Sequence, residues 1–220
     1  MAILVTGGAG YIGSHTVLTL LEAGHEVVVI DNLCNASSES INRVEALSGK
    51  SLAFYQADVR DVDQVRAIFS RHAISSVIHF AALKSVGESV CKPLEYYDNN
   101  LKSTMVLVAE MRRAGVNNLI FSSSATVYGQ PECIPLREDA RIGGTTNPYG
   151  TTKLMIEQIL QDYSRACPDF SVIILRYFNP VGAHPSGMIG ENPNGVPANL
   201  VPYLTQVAVG KLEKLLIYGN

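Results

Sequence analysis

Tyr149 and Lys153 lie four residues apart in a stretch with helical spacing. On a helix, residues with this spacing share one face, about 5–6 Å apart. A lysine ammonium at roughly 6 Å stabilises a phenolate by about 2–3 kcal/mol at an effective dielectric near 20. We therefore expect Lys153 to lower the pKa of Tyr149 from about 10 towards neutral. This makes Tyr149 a candidate acceptor for the proton of an alcohol that is being oxidised.

A glycine-rich segment lies between the first predicted strand and the first predicted helix. Its glycines, Gly7, Gly8, Gly10 and Gly13, fit both the T-G-x-x-G-x-x-G and the G-x-G-x-x-G patterns. Such a turn lets the backbone approach a pyrophosphate, and the helix N-terminus adds amide donors and a positive dipole. Asp31 follows Gly10 by 21 residues, at the end of the next predicted strand. There it could accept hydrogen bonds from the adenosine ribose, and its charge opposes a 2′-phosphate, so the pattern predicts NAD rather than NADP.

Two further groups follow predicted strands, at the edge of the sheet where doubly wound folds bind ligands. Asp58 comes after the third strand, where it could meet the adenine edge or, alternatively, cap the next helix. Ser124 ends a central strand in the run Ser122, Ser123, Ser124. A serine hydroxyl at this place can donate to a substrate oxygen and relay its proton to Tyr149.

Short apolar runs alternate with stretches of helical periodicity along the chain. The predicted strands are Ala2–Thr6, Glu26–Asp31, Leu52–Ala57, Ser76–Ala81, Leu119–Ser123, Ser171–Phe178 and Leu215–Tyr218. The predicted helices are Tyr11–Ala23, Val62–His72, Asp98–Ala114, Pro148–Ala166 and Leu200–Val209. This alternation predicts an α/β fold with a doubly wound parallel sheet, Rossmann-like and buried on both faces. We expect residues 1–178 to form an NAD-binding domain and residues 179–220 to begin a small, incomplete substrate lobe.

The composition excludes several classes of protein. The chain has 220 residues, 47% of them hydrophobic and 17% charged, and a net charge of −3. We therefore predict one globular core and no nucleic-acid partner. No apolar run approaches the roughly 18 residues of a membrane span, and no leader precedes the first strand, so we expect no membrane association. The cysteines, Cys34, Cys91, Cys133 and Cys167, lack metal-ligand spacing. We predict no metal, four buried thiols and a cytoplasmic location.

Several longer motifs carry a family resemblance. They are SSSATVYG at 122–129, PYGTTK at 148–153, HFAALKSVGES at 79–89, PLEYY at 93–97 and RYFNPVGAHPSG at 176–187. The first two resemble the extended short-chain dehydrogenase/reductase superfamily. Together, the motifs closely resemble its family of UDP-glucose 4-epimerases, and the likeness runs through essentially the whole chain.

The resemblance implies an NAD-dependent enzyme that interconverts UDP-glucose and UDP-galactose, in galactose metabolism, by transient oxidation at carbon 4 of the hexose. It implies a catalytic set of Tyr149, Lys153 and Ser124. It places NAD against Gly7, Gly10, Tyr11, Ile12, Gly13, Asp31, Asn32, Leu33, Cys34, Asn35, Ala36, Asp58, Val59, Phe80, Ala81, Ala82, Leu83, Lys84, Asn99, Tyr149, Lys153 and Phe178. It places the UDP-hexose against Lys84, Ser85, Val86, Ser122, Ser123, Ser124, Tyr149, Asn179, Asn199, Leu200, Leu216, Ile217 and Tyr218. It further implies a homodimer that pairs through the helices around Asp98–Ala114 and Pro148–Ala166.

Three other functions are alternatives to this one. Sugar-nucleotide dehydratases of the superfamily carry an Asp-Glu pair directly after the hydroxyl residue, whereas this chain has Ala125 and Thr126, neither of which can act as a general acid or base. Dehydration is therefore disfavoured. A net oxidoreductase that releases its reduced cofactor keeps the same residues. A non-catalytic NAD-binding module is a third alternative, because members of the family continue well past residue 220.

Overall fold

A single parallel sheet of six strands forms the centre of the computed structural model, which describes residues 1–192, 197 and 199–216. The strands are β1 (Ala2–Thr6), β2 (Val27–Asp31), β3 (Ala53–Gln56), β4 (Ile74–His79), β5 (Asn118–Ser124) and β6 (Ser171–Tyr177). Their order is β3-β2-β1-β4-β5-β6, and each neighbouring pair is parallel. The predicted doubly wound sheet is confirmed. The strand order reverses between β1 and β4, which is where such sheets bind ligands.

Seven α-helices accompany the described strands. They are α1 (Tyr11–Glu22), α2 (Glu39–Ser48), α3 (Val62–Arg71), α4 (Val86–Cys91), α5 (Pro93–Arg113), α6 (Pro148–Ala166) and α7 (Leu200–Ala208), with a short 3₁₀ helix at Ala125–Tyr128. The helices α2 and α4 were not predicted. The buried residues of α2 are only Ile41 and Val44, too few to give a clear periodic signal. Helix α5 begins five residues earlier than predicted, at Pro93, in the first-turn position that suits proline.

The central strands are buried on both faces, as the continuous apolar runs predicted. All five residues of β2 are buried. Val28 and Ile30 pack in the cluster that contains the apolar residues of α3, α5 and α6. Val27 and Val29 point the other way, into the cluster formed with α1 and α2. These two helical layers hold the sheet rigid, so the carboxyl ends of its strands are a stable platform for a site.

The edge strand β6 departs from this expectation. Its side chains alternate, and Val172 and Ile174 pack against the core whereas Ile173 and Leu175 are 54% and 39% exposed. The prediction of burial on both faces is therefore wrong for β6. In the described part of the chain this strand pairs only with β5 and lies at the border of the sheet, and the face that carries Ile173 and Leu175 is left partly open to solvent.

The predictions of a last strand and of buried thiols are not confirmed. Leu215 and Leu216 are not in a strand, and Ile217 and Tyr218, the rest of that predicted strand, lie outside the described residues. The four thiols are not buried: Cys34, Cys91 and Cys133 are exposed and Cys167 is intermediate. They lie in loops and at helix ends, and none is among the buried residues of the two apolar clusters of the core.

No helix in the described part of the chain has both the length and the apolar character needed to cross a membrane.

Candidate functional site

The glycine-rich turn connects β1 to α1 at the switch point of the sheet. Gly7 has a φ of +70°, and a Cβ at this position would lie 2.7 Å from the backbone nitrogen of Ala81. A Cβ on Gly13 would lie 2.2 Å from the carbonyl oxygen of Gly7. Side chains are therefore excluded from the turn, and its backbone is left bare. Helix α1 begins after Gly10, and no side chain caps it. Its first amides are thus suited to an anionic group, which is the fit that a dinucleotide pyrophosphate requires.

Asp31, at the end of β2, holds the same turn from the side. Its Oδ2 accepts a hydrogen bond from the backbone nitrogen of Ala9 at 3.1 Å, and its Oδ1 accepts one from that of Leu33 at 2.9 Å. Burial raises the pKa of Asp31, and these two backbone hydrogen bonds oppose the rise. Leu33 adopts a φ of +59°, in the left-handed region that is costly for a leucine. Asp31 therefore fixes both the turn and the strained residue beside it, a role beyond the predicted ribose contact.

Asp58, after β3, is held by Arg60, which the sequence reasoning missed. The Arg60 guanidinium donates to Asp58 from Nη2 at 2.8 Å and to Asp98 from Nη1 at 2.6 Å. The hydrogen bond from the Arg60 side chain is the largest cause that lowers the pKa of Asp58 to about 2. The alternative role as a helix cap is wrong, because Asp61 caps α3 by accepting from two backbone amides. Asn32 also donates to Asp58, at 3.4 Å. Asn32 and Asp58, both predicted to bind the cofactor, thus lie together beyond β2 and β3.

Helix α6 brings Tyr149 and Lys153 to the end of β5. The side chain of Asn147 caps this helix by accepting from the backbone of Gly150 at 2.8 Å. Lys153 is buried, and its Nζ donates to the carbonyl oxygen of Ser122 at 2.7 Å. The same Nζ lies 5.9 Å from the centroid of the Tyr149 ring. The predicted spacing of the pair is therefore found.

The predicted lowering of the pKa of Tyr149 by Lys153 is wrong. Burial raises the pKa of Tyr149, and a hydrogen bond from Ser124 is the opposing cause. Burial lowers the pKa of Lys153 to about 7, and the charge of Glu157 opposes this shift. Desolvation is the largest cause of both shifts, because it penalises the charged form of each group.

The three serines at the end of β5 are used differently. Because side chains alternate along a strand, Ser123 points away from Ser122 and Ser124. Its hydroxyl donates to Glu157 at 2.5 Å inside the core. The Ser124 Oγ accepts hydrogen bonds from the backbone nitrogen and the hydroxyl of Thr126, at 3.2 and 3.0 Å. With its lone pairs engaged in this way, the Ser124 hydroxyl proton is directed towards Tyr149 or a substrate oxygen.

The loop after β4 is held in place by another residue that the sequence reasoning missed, Asn100. Its Oδ1 accepts from the backbone nitrogen of Leu83 at 2.8 Å, and its Nδ2 donates to the Leu83 carbonyl and to Thr152, each at 3.0 Å. The loop residues Phe80 and Ala81 are joined to Thr6 at the end of β1. A buried asparagine in a helix has no sequence signal of its own, since its partners lie far away along the chain.

Glu191 joins two residues predicted to bind the sugar nucleotide. Its Oε1 accepts from the Lys84 ammonium at 3.2 Å and from the Asn199 amide at 2.8 Å. The segment that leads to Glu191 also reaches the glycine turn, because the Tyr11 hydroxyl donates to the carbonyl of Gly182 at 2.7 Å. The structure therefore brings Lys84 and Asn199 together from distant parts of the chain, beside the start of α1.

The remaining predicted contact residues take several environments. The predicted contacts Asn35, Ala36, Val59, Ala82 and Ser85 lie in the loops after the strands, whereas Ile12, Val86 and Asn99 lie in α1, α4 and α5. Phe178, Asn179, Leu200 and Leu216 are exposed, and Ile217 and Tyr218 lie outside the described residues. The exposed group follows β6 or belongs to the segment from 179 onwards, where fewer described residues are available to cover it.

Comparison with known proteins identifies the family of this chain. The family model for the NAD dependent epimerase/dehydratase family matches residues 3–220. The chain belongs to this family. A UDP-glucose 4-epimerase of Yersinia enterocolitica is 66% identical over all 220 residues, and one of Bacillus subtilis is 60% identical. The resemblance to UDP-glucose 4-epimerases that the motifs indicated is confirmed. The chain spans 66% and 65% of the lengths of these two relatives.

Solved structures of epimerases share the fold of this family member closely. A UDP-glucose 4-epimerase from Bifidobacterium longum, in complex with NAD⁺ and UDP, superposes with a TM-score of 0.98 at 53% identity. A UDP-glucose-4-epimerase from Stenotrophomonas maltophila, with bound NAD and formylated UDP-arabinopyranose, gives 0.96 at 49% identity. In both cases the match covers 100% of this chain and 65% of the solved one.

Proposed function

We propose that this chain binds NAD and a UDP-hexose and carries out the interconversion of UDP-glucose and UDP-galactose, in galactose metabolism. The observation that carries the proposal is the placement of Tyr149, Lys153 and Ser124 at the carboxyl end of β5. Opposite them, across the switch point, lies a glycine turn that excludes side chains. The identity to UDP-glucose 4-epimerases over the whole chain supports the same reaction.

NAD fits the residues along the carboxyl edge of β1, β2 and β3. The bare turn at Gly7, Gly10 and Gly13 suits the pyrophosphate, and Asp31 has lone pairs left for ribose hydroxyls. The charge of Asp31 opposes the 2′-phosphate of NADP. When bound, NAD would supply the acceptor for the hydride of carbon 4 and return that hydride to the opposite face of the sugar.

The proton of the 4-hydroxyl is handled by residues of this chain. Tyr149 takes it, directly or through Ser124, and gives it back when the 4-keto sugar is reduced. Lys153, fixed by the carbonyl of Ser122, places a positive charge near the phenol before the reaction begins. The burial of Lys153 keeps water from competing at this point.

The sugar nucleotide is expected at the junction of two segments of the chain. Lys84 and Asn199 approach each other through Glu191, and both were predicted to contact the substrate. We propose that residues 1–178 are the NAD-binding domain and that residues 179–220 begin the sugar-nucleotide lobe. The hydrogen bond from Tyr11 to the carbonyl of Gly182 would hold this second segment beside the NAD turn.

The direct test is to incubate the purified 220-residue chain with UDP-galactose and no added cofactor, and to measure UDP-glucose formed and NAD released on denaturation. We expect bound NAD and turnover. Turnover that depends on added NAD and yields NADH would favour the oxidoreductase alternative. NAD that stays bound without conversion of either sugar would favour the non-catalytic module. A chain that neither holds NAD nor converts the sugar contradicts the proposal.

We also propose that the chain forms a homodimer through α5 and α6 in the cytoplasm. Met105 on α5 and Met155 on α6 are about half exposed, although each is a large apolar side chain on a packed helix. Burying them against a second copy would remove this apolar surface from water. We expect light scattering to give the mass of a dimer, and Met155→Glu to give that of a monomer. Ile134→Glu, an exposed apolar position outside these helices, should leave the dimer intact. A monomeric unsubstituted chain would contradict this proposal.

A further inference from the structure

Glu157 is a buried acid for which the proposed reaction gives no role. It lies on α6 four residues after Lys153, so that Tyr149, Lys153 and Glu157 share one face of the helix. Its side chain is 1% exposed. A buried carboxylate is costly unless it is paired and its oxygens accept hydrogen bonds. The partners of Glu157 therefore indicate what it does.

Those partners are on the two strands next to the site. Arg176 on β6 donates to both oxygens, from Nε to Oε1 at 3.1 Å and from Nη2 to Oε2 at 2.8 Å. The Ser123 hydroxyl on β5 donates to Oε1 at 2.5 Å. Arg176 is itself held, because its Nη1 donates to the Tyr128 hydroxyl at 3.0 Å and to the Glu138 carbonyl at 3.2 Å. Glu157 is thus held in place by Arg176 and is hydrogen-bonded to one residue of β5, Ser123.

That residue lies between the two that contact the reacting side chains. Ser122 accepts from Lys153, and Ser124 bonds Tyr149. Resting on the proposed function, we propose that Glu157 is a positioning residue of the proton-transfer site. Through Ser123 it fixes the end of β5 against α6, and its negative charge holds the buried Lys153 as an ammonium.

Among the described residues around Lys153, Glu157 is the one that supplies a negative charge to stabilise the ammonium. On its own helix, Lys153 faces Glu157 and the neutral Tyr149. On β4, His79 is buried, and burial lowers its pKa to about 3, so it is uncharged near neutral pH. On β6, Arg176 is bonded to both oxygens of Glu157, and its positive charge reduces the effect of that carboxylate on Lys153, which leaves Glu157 as the charge that favours the ammonium. Helix α5 presents the neutral Asn100 towards α6, and on α4 Glu88 is paired with Lys92 and Tyr96.

The test uses Glu157→Gln, which keeps the shape and removes the charge. Lysines of the chain are labelled at Cε with ¹³C, the Lys153 signal is assigned from its loss in Lys153→Arg, and its midpoint of titration is measured by NMR without substrate. We expect Glu157→Gln to lower the midpoint by about one to two pH units, the size for a unit charge one helical turn away. Glu157→Asp, which keeps the charge, should stay close to the unsubstituted protein.

Glu110 provides the matched control. It is also a buried glutamate bonded by arginines, Arg66 and Arg113, but it lies on α5 away from the site. Glu110→Gln should lower thermal stability without moving the Lys153 midpoint. An unmoved midpoint in Glu157→Gln, or an equal movement in Glu110→Gln, would overturn the proposal. Because no turnover is measured, the result stands apart from whether the chain converts UDP-galactose.

A second variant tests the contact with β5 and replaces the first if Glu157→Gln does not fold. Ser123→Ala removes the hydroxyl that Glu157 holds and keeps the carboxylate. We expect hydrogen exchange of the Ser124 amide to speed up about tenfold or more, a change of roughly 1.4 kcal/mol in local opening. Ser75→Ala, which removes a serine contact to β1 at the start of β4, should leave that amide unchanged. Unchanged exchange in Ser123→Ala would contradict the positioning role.

Discussion

Replacing Tyr149 with phenylalanine is expected to lower the conversion of UDP-galactose about 100- to 10,000-fold, the usual contribution of general acid–base catalysis. The substitution removes one hydroxyl and keeps the ring that packs at the end of β5. We propose that the glycine turn and Asp31 provide most of the contacts to NAD, so the NAD content should not change. The measurement is turnover at saturating substrate, with NAD extracted from the same preparation and quantified.

Tyr163→Phe is the control for this experiment. Tyr163 lies on the same helix and packs edge-on against Phe170, away from the site. It should keep both turnover and NAD. If Tyr149→Phe retained turnover within about tenfold of the unsubstituted chain, a proton acceptor worth 100-fold or more could not be assigned to Tyr149.

Gly13→Ala is expected to weaken NAD binding about 5- to 150-fold and to lower the stability of the protein. The new methyl carbon would lie 2.2 Å from the Gly7 carbonyl oxygen and 2.8 Å from the Cα of Gly8. Both are backbone atoms that cannot rotate away, so the turn itself must move. Overpacking of this kind costs about 1–3 kcal/mol, and every 1.4 kcal/mol taken from binding is tenfold in affinity. Calorimetric titration of the NAD-free protein with NAD, together with its thermal midpoint, measures the two effects.

Gly87→Ala separates this effect from a general cost of changing glycine. Gly87 lies in α4, and a Cβ at this position meets no atom within 4 Å. Alanine is also the better helix former by roughly 1 kcal/mol, so we expect unchanged NAD affinity and equal or higher stability. Equal NAD affinity in Gly13→Ala and Gly87→Ala would remove the glycine turn from the proposed binding site.

The parts of the site that follow from short stretches of sequence were predictable. The glycine turn needs only the strand before it and the helix after it, and both elements were found within one residue of their predicted bounds. Tyr149 and Lys153 are likewise set by one helix, whose bounds were predicted correctly. Asp31 is the last residue of β2, as its distance from the glycine turn predicted.

Most of the supporting residues could not be predicted, since they act on partners far away in the sequence. Arg176 and Glu157 are 19 residues apart and meet only when β6 pairs beside β5. Glu191 reaches Lys84 across 107 residues. The predicted lowering of the pKa of Tyr149 was wrong for the same reason. The spacing gives the distance to Lys153, but the burial that opposes ionisation of the phenol depends on the whole fold.

The two backbone bonds accepted by Asp31 limit how coenzyme preference could be redesigned. Admitting the extra phosphate of NADP would call for a neutral or basic side chain at this position. Such a change would also remove one or both of the oxygens that accept from the Ala9 and Leu33 amides, and without its bond Leu33 would lose the support of its left-handed backbone. With the role that we propose for Asp31, selectivity and architecture are linked in one carboxylate, and a successful redesign would have to rebuild the loop after β2 together with the side chain.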